Sequence, residues 1–127
     1  MKPLLSAAAL AVFFVVSACA GTQCEQVCAA YNDCDLSQRA LDLDCVEYCH
    51  NIDDLSTRSS CTSQWQAHLG CWQGQISSIC DNTNTACDQS GIDWSSCIDN
   101  YCANLPAGFN EPDCSGQNYI SPFTSGL

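Results

Sequence analysis

Lysine occurs once in this chain, at position 2, and the only arginines are Arg39 and Arg58. Without a cluster of cations there is nothing to neutralise phosphates, which argues against nucleic-acid binding. A lysine Schiff base and a polybasic membrane contact beyond residue 2 are excluded on the same ground. Histidine is nearly as scarce, with His50 and His68 alone, and no two cysteines form a C-x-x-C pair. Zinc sites are commonly built from such pairs with partnering histidines, so neither a metal cluster nor a cofactor is expected. No G-x-S-x-G elbow offers a nucleophile. Strand signals are weak too: there is no sustained alternation, no Asn-Gly turn and few β-branched residues. Past residue 20 no apolar run approaches the roughly 20 residues that a spanning helix needs.

Acid and cysteine are what the chain has in excess. All fourteen carboxylates lie beyond residue 20, and with Lys2 set aside they face two arginines, a side-chain charge of −12. Such a surface repels itself and stays dispersed. A sharper reading is attraction for cationic peptides or divalent cations. Thirteen cysteines are present, twelve of them beyond Cys19. Twelve in the roughly 107 residues after Ala20 exceed the ~8–10% that marks a disulfide scaffold, and such a density belongs in an oxidising compartment.

The N-terminus agrees with export. It reads MKPLLSAAALAVFFVVSACAG, with Lys2 as a short positive region, residues 4–16 apolar apart from Ser6, and small residues after them. This is a signal sequence, too short for a stable span. Two cleavages fit. Ala18 and Ala20 form an A-x-A-like site that would remove Cys19 with the signal. Alternatively, VSAC at 16–19 resembles the lipobox of bacterial lipoproteins. That resemblance implies a diacylglyceryl thioether on Cys19, cleavage just before it, and acylation of the new amine. Two or more acyl chains anchor a protein stably without a transmembrane helix. Residue 20 is Ala, not the Asp that in that family tends to retain lipoproteins at the inner membrane, so the resemblance leans toward the outer membrane. The expected division is a signal at 1–18, a lipidated tether at 19–23, a cysteine-rich domain at 24–114 and an irregular tail at 115–127.

Helical periodicity organises the domain. Cys24, Val27, Cys28 and Tyr31 recur at one-face spacing behind a capping box, TQCE at 22–25. Cys45, Tyr48, Cys49 and Ile52 share a second face, with Asp44 as N-cap. Cys61, Trp65, His68, Leu69 and Trp72 make a third that ends between Gly70 and Gly74. Trp94, Cys97, Ile98, Tyr101, Cys102 and Leu105 make a fourth, capped near Asp93 or in SGID and stopped by Pro106. The spacing predicts an all-α, disulfide-stapled bundle of about four short helices.

CEQVC and CVEYC are both C-x₃-C, and over residues 24–49 they resemble the α-hairpinin arrangement. That resemblance implies the pairs Cys24–Cys49 and Cys28–Cys45. Cys61 and Cys71 are nine residues apart, as are Cys87 and Cys97. These twin C-x₉-C pairs resemble the coiled-coil-helix-coiled-coil-helix proteins and imply Cys61–Cys97 and Cys71–Cys87, although Cys80 and Cys102 depart from that pattern. Spacing alone leaves the order open for Cys34, Cys80, Cys102 and Cys114. As a whole the chain resembles the small cysteine-rich lipoproteins of predatory and social soil bacteria, a likeness that implies location and architecture but no particular activity.

Candidate chemistry is thin. His50 precedes Asp53 and Asp54 at helical spacing, a pair that a hydrolase could use if a serine approached; a surface histidine beside carboxylates is the plainer reading. His68 shares an apolar face with Trp65 and Trp72 and reads as a half-buried structural residue. Residues 81–88 are rich in side-chain oxygen but lack the order of a calcium loop. Arg39 lies between the C-x₃-C motifs, where some α-hairpinins present a basic bait to trypsin-like proteases. Tyr31, Tyr48, Trp72 and Trp94 could form a binding face or fill a core. No catalytic residue is assigned. The expectation is a lipid-anchored envelope protein that binds or supports. Its partners would be membrane lipid, through Cys19, and an unknown envelope or extracellular protein. The alternatives are a secreted cysteine-rich protein such as a protease inhibitor and, more remotely, a hydrolase using His50.

Overall fold

The structure, a computed structural model, describes residues 21–39, 41–115 and 119–123. The expected signal at 1–18 and Cys19 lie outside them. The described fold is all-α, with helices α1 (Gln23–Asn32), α2 (Cys45–Arg58), α3 (Thr62–Gly74) and α4 (Asp88–Ala103), and single 3₁₀ turns at Ile76–Ser78 and Pro112–Cys114. No strand occurs among the described residues.

Local chemistry accounts for the first two starts. Thr22 Oγ1 accepts the Glu25 amide at 3.2 Å while Glu25 Oε2 accepts the Thr22 amide at 3.1 Å, a reciprocal cap that satisfies two orphan donors. Asp44 does the same work alone at α2, accepting the Glu47 amide at 3.1 Å. Helix α2 ends in a Schellman turn: Cys61 N–H donates to Ser56 O and Ser60 N–H to Thr57 O. Ser60 sits at φ 62°, where glycine is the usual occupant. That tight turn sends the chain straight into α3, whose N-cap is Cys61.

Helix α3 is central and packs on α1, α2 and α4. Its buried face is Trp65, His68, Leu69 and Trp72, the one-sided spacing read from the sequence. The Trp65 ring lies 5.2 Å from that of Trp94 on α4, and Trp65 Nε1 donates to Asp53 Oδ1 on α2 at 2.8 Å. One side chain therefore joins three helices, with its polar edge satisfied.

Six disulfides staple this core. Cys24–Cys49 and Cys28–Cys45 tie α1 to α2, and Cys61–Cys97 ties the start of α3 to α4. Cys71–Cys87 joins α3 to the N-cap of α4. These are the four pairs that the two resemblances imply. The open four resolve as Cys34–Cys80 and Cys102–Cys114. In each pair the Cα atoms are 5.3–6.0 Å apart, within the range a disulfide spans.

Two features differ from the sequence reading. Helix α4 begins at Asp88 rather than near Asp93, and it has no side-chain cap. Cys87 is fixed by its disulfide to Cys71, and its carbonyl accepts the Gly91 amide, so tertiary anchoring starts the helix ahead of the SGID signal. The helix ends at Ala103, so Leu105 lies outside it. The second difference is the tail. Residues 119–123 are irregular, as expected, but Tyr119, Ser121 and Phe123 are buried in the core. Buried side chains therefore occur beyond Cys114, at Tyr119, Ser121 and Phe123. Burial of two aromatic rings outweighs the ordering of a short polar-flanked segment.

Candidate functional site

Cys19, the expected point of lipid attachment, lies outside the described residues. Its partners in the cysteine count do not. The twelve cysteines from Cys24 to Cys114 are all consumed in pairs, and Cys19 is the one left over. Among the described residues no helix is long and apolar enough to cross a membrane, and no three His, Cys, Asp or Glu side chains are grouped to hold a metal.

His68 is fully buried rather than half-buried. Its Nδ1 lies 2.9 Å from Ser90 Oγ on α4 and its Nε2 lies 2.8 Å from Ser121 Oγ in the tail. Burial dominates its titration and pulls the pKa from 6.5 down to about 4, against the opposite pull of the Cys87 carbonyl and the Asp88 carboxylate. Sequence reasoning placed the ring on the right face but missed both serines. A signal did exist: Tyr119, Ile120 and Phe123 are large apolar residues close together in a mostly polar tail.

Arg58 anchors a second cluster. Its guanidinium donates to Asp54 Oδ2 at 2.8 Å, to Asp113 Oδ2 at 2.8 Å and to Glu111 Oε2. The Glu111 side chain is only 5% exposed and also accepts from the Tyr101 hydroxyl at 3.2 Å. Hydrogen bonds to Asp54 and Asp113, with the charge of Glu111, hold the guanidinium protonated even more firmly than usual. The cluster pins the 3₁₀ turn at Pro112–Cys114 to the end of α2 and so positions the chain that leads to the tail.

The remaining candidates stand apart. Arg39 folds back into its own loop: Nε donates to Cys34 O at 3.0 Å, and Nη1 to Leu41 O at 3.2 Å and Asp42 Oδ1 at 2.6 Å. Its side chain is 11% exposed, so the loop does not hold it out to a protease. His50 is exposed on α2, while Asp53 is engaged by Trp65 and Asp54 by Arg58. In residues 81–88, Asp81 accepts from the Thr83 amide and hydroxyl, which holds its carboxyl below the ordinary range, and Asn84 accepts the Ala86 amide.

The aromatic set forms core rather than a face. Tyr31, Trp72 and Trp94 are buried, and Tyr48 is half-buried with its hydroxyl enclosed and unpartnered. Burial, then Tyr31 and Asp53, push the Tyr48 pKa well above 10. A hollow of about 170 Å³ between α3 and α4, lined by Ser63, Gln64, Ala67, Ser90 and Asp93, is smaller than the ~300 Å³ at which small-molecule pockets begin. Comparison with protein-family models, curated proteins and solved structures finds no match.

Proposed function

We propose that this chain is a cell-envelope lipoprotein, held by acyl chains on Cys19, whose stapled helical domain binds or supports other components without catalytic turnover. The carrying observation is the cysteine balance: twelve are paired within the domain, and the odd one stands in VSAC at the end of the apolar signal. A leftover thiol in an exported protein calls for its own explanation, and thioether acylation supplies one. Ala20 favours the outer membrane over the inner. The absence of a catalytic assignment rests on dispersion: His50, Asp53 and Asp54 make no joint site, and His68 is sealed in the core. Secretion as a protease inhibitor is the weaker reading, because Arg39 is committed to its own loop.

The test is the intact mass of the mature protein from its native host, with and without reduction and alkylation. A start at Cys19 with two or three acyl chains, and twelve further cysteines that alkylate only after reduction, is the expected result. An unlipidated start at Gly21 would sink the anchored reading and move the search for a partner to the medium.

A further inference from the structure

All six disulfides close between Cys24 and Cys114. The strap at 119–123 lies beyond the last of them, yet it forms one wall of the core. It is held by non-covalent contacts. Trp94 Nε1–H donates to Tyr119 O at 2.9 Å, the Tyr119 hydroxyl donates to Asp99, and the Phe123 ring meets Tyr31 and Tyr48 edge-on at 5.3 and 5.9 Å. Ser121 Oγ also lies 2.8 Å from His68 Nε2. A segment without a staple, packed on a body with six, is the natural unit of local opening.

The hydrogen bonds around His68 run in one direction. The Ser90 hydroxyl donates to Cys87 O at 2.7 Å, so its oxygen receives the His68 Nδ1–H. Nε2 is then the bare nitrogen and accepts from the Ser121 hydroxyl, whose oxygen takes the Phe123 amide at 3.3 Å. While the ring is neutral, both of its nitrogens are matched in this chain, one as donor and one as acceptor.

We propose that His68 is a proton-operated latch for the strap. Protonation at Nε2 turns the acceptor of the Ser121 hydroxyl into a donor and leaves a cation sealed from water, so the strap lifts away from a scaffold that its disulfides keep folded. Lifting uncovers the groups that the strap covers, Trp94 Nε1 and the Tyr31 and Tyr48 rings. The charged neighbours do not remove the effect. Helix α3 carries no charged side chain. From α4, Asp88 faces the ring and Asp99 is engaged by the strap's own Tyr119; from α2, Asp53 is committed to the Trp65 indole.

The sign follows from linkage. For a ring that opening fully rehydrates, the pKa rises from about 4 to the ordinary 6.5. The stabilisation of the closed form is complete above pH 6.5 and is lost as pH falls toward 4. Between pH 7 and pH 5 the open-to-closed ratio rises about 20-fold. The latch operates in this way whether or not Cys19 is acylated.

Two indole protons in the oxidised mature chain provide the test. The Trp94 N–H reports the strap, and the Trp65 N–H, bonded to Asp53, reports the stapled scaffold. Hydrogen exchange followed by NMR, corrected for intrinsic rates, is expected to show about 20-fold weaker protection of Trp94 at pH 5 than at pH 7, with Trp65 unchanged. His68→Gln, neutral at both pH values, is expected to abolish that dependence. Protection of Trp94 that ignores pH, a parallel fall at Trp65, or a fall that persists in His68→Gln would each overturn the latch. Should His68→Gln not fold, the wild-type ring resonances decide: an imidazole titrating near 6.5 in the closed protein overturns it, and one displaced well below supports it.

Discussion

The indole N–H of Trp94 donates to the carbonyl oxygen of Tyr119 at 2.9 Å, tying the middle of α4 to a segment 25 residues further along. The bond satisfies a buried donor that the core would otherwise leave unpaired, and it fixes the strap across the seam where the Trp65 and Trp94 rings meet. Four of the side chains that close this seam, Trp65, Trp94, His68 and Ser121, come from two helices and the strap. Loosening any one of these parts therefore has a local signature.

Phe123→Ala removes the ring that packs edge-on against Tyr31 and Tyr48. The expected loss is roughly 3 kcal/mol of strap docking, as for other buried Phe truncations. Because the disulfides stop at Cys114, the helices stay folded. Chymotrypsin should then cut at Tyr119 much faster than in the wild type while the core resists. An uncut Tyr119 in the variant would contradict this assignment of the strap.

Arg58→Met leaves Glu111 buried without its cation. Removing one partner of a fully buried pair costs about 3–5 kcal/mol. Arg58 itself is over a third exposed, so water screens the pair and about 2 kcal/mol is expected here. Adding Glu111→Gln to Arg58→Met should recover part of that loss, because the orphaned charge is then gone. Urea unfolding of the two single variants and the double gives the coupling directly, and strict additivity would mean that the pair does not act as a unit.

The disulfides should differ in worth with the loop each one closes. Cys34–Cys80 spans 46 residues and Cys102–Cys114 spans 12. Chain-entropy arithmetic gives about 4 kcal/mol for the first and about 3 for the second. Replacing each pair by alanines and measuring guanidinium unfolding should rank them in that order; the reverse order would show that local packing, not loop closure, sets their contribution.

Ser60→Gly is expected to stabilise. Ser60 holds φ 62° as the residue after the α2 C-cap, where a Cβ is unfavourable. Relief of roughly 0.5–1 kcal/mol should appear as a small rise in melting temperature with no change in helix content by circular dichroism. A fall in stability would mean that the entropy glycine loses on folding exceeds the strain relieved.

Much of the frame was legible because its signals act within a turn or two. Thr22 and Glu25 are close enough to cap each other, and the buried faces of α1 and α3 follow from the 3.6-residue period. The same period puts Cys24 beside Cys28 and Cys45 beside Cys49, which is why the C-x₃-C motifs could be recognised. The start of α4 was misread for the complementary reason: Ser90, Gly91 and Asp93 look like a boundary locally, but the disulfide at Cys87 sets the boundary.

By itself, then, the sequence determined the class: an acidic, cysteine-dense, helical chain with an odd cysteine, Cys19, just after its N-terminal apolar run. It could do so because composition and short-range periodicity are written residue by residue. Only the tertiary structure decided that Cys34 reaches Cys80, that Arg58 holds Glu111, and that a polar-looking tail closes over His68. Those contacts join residues 46, 53 and 53 positions apart. No local signal encodes which distant partner arrives, because that depends on how the four helices pack before the side chains can meet.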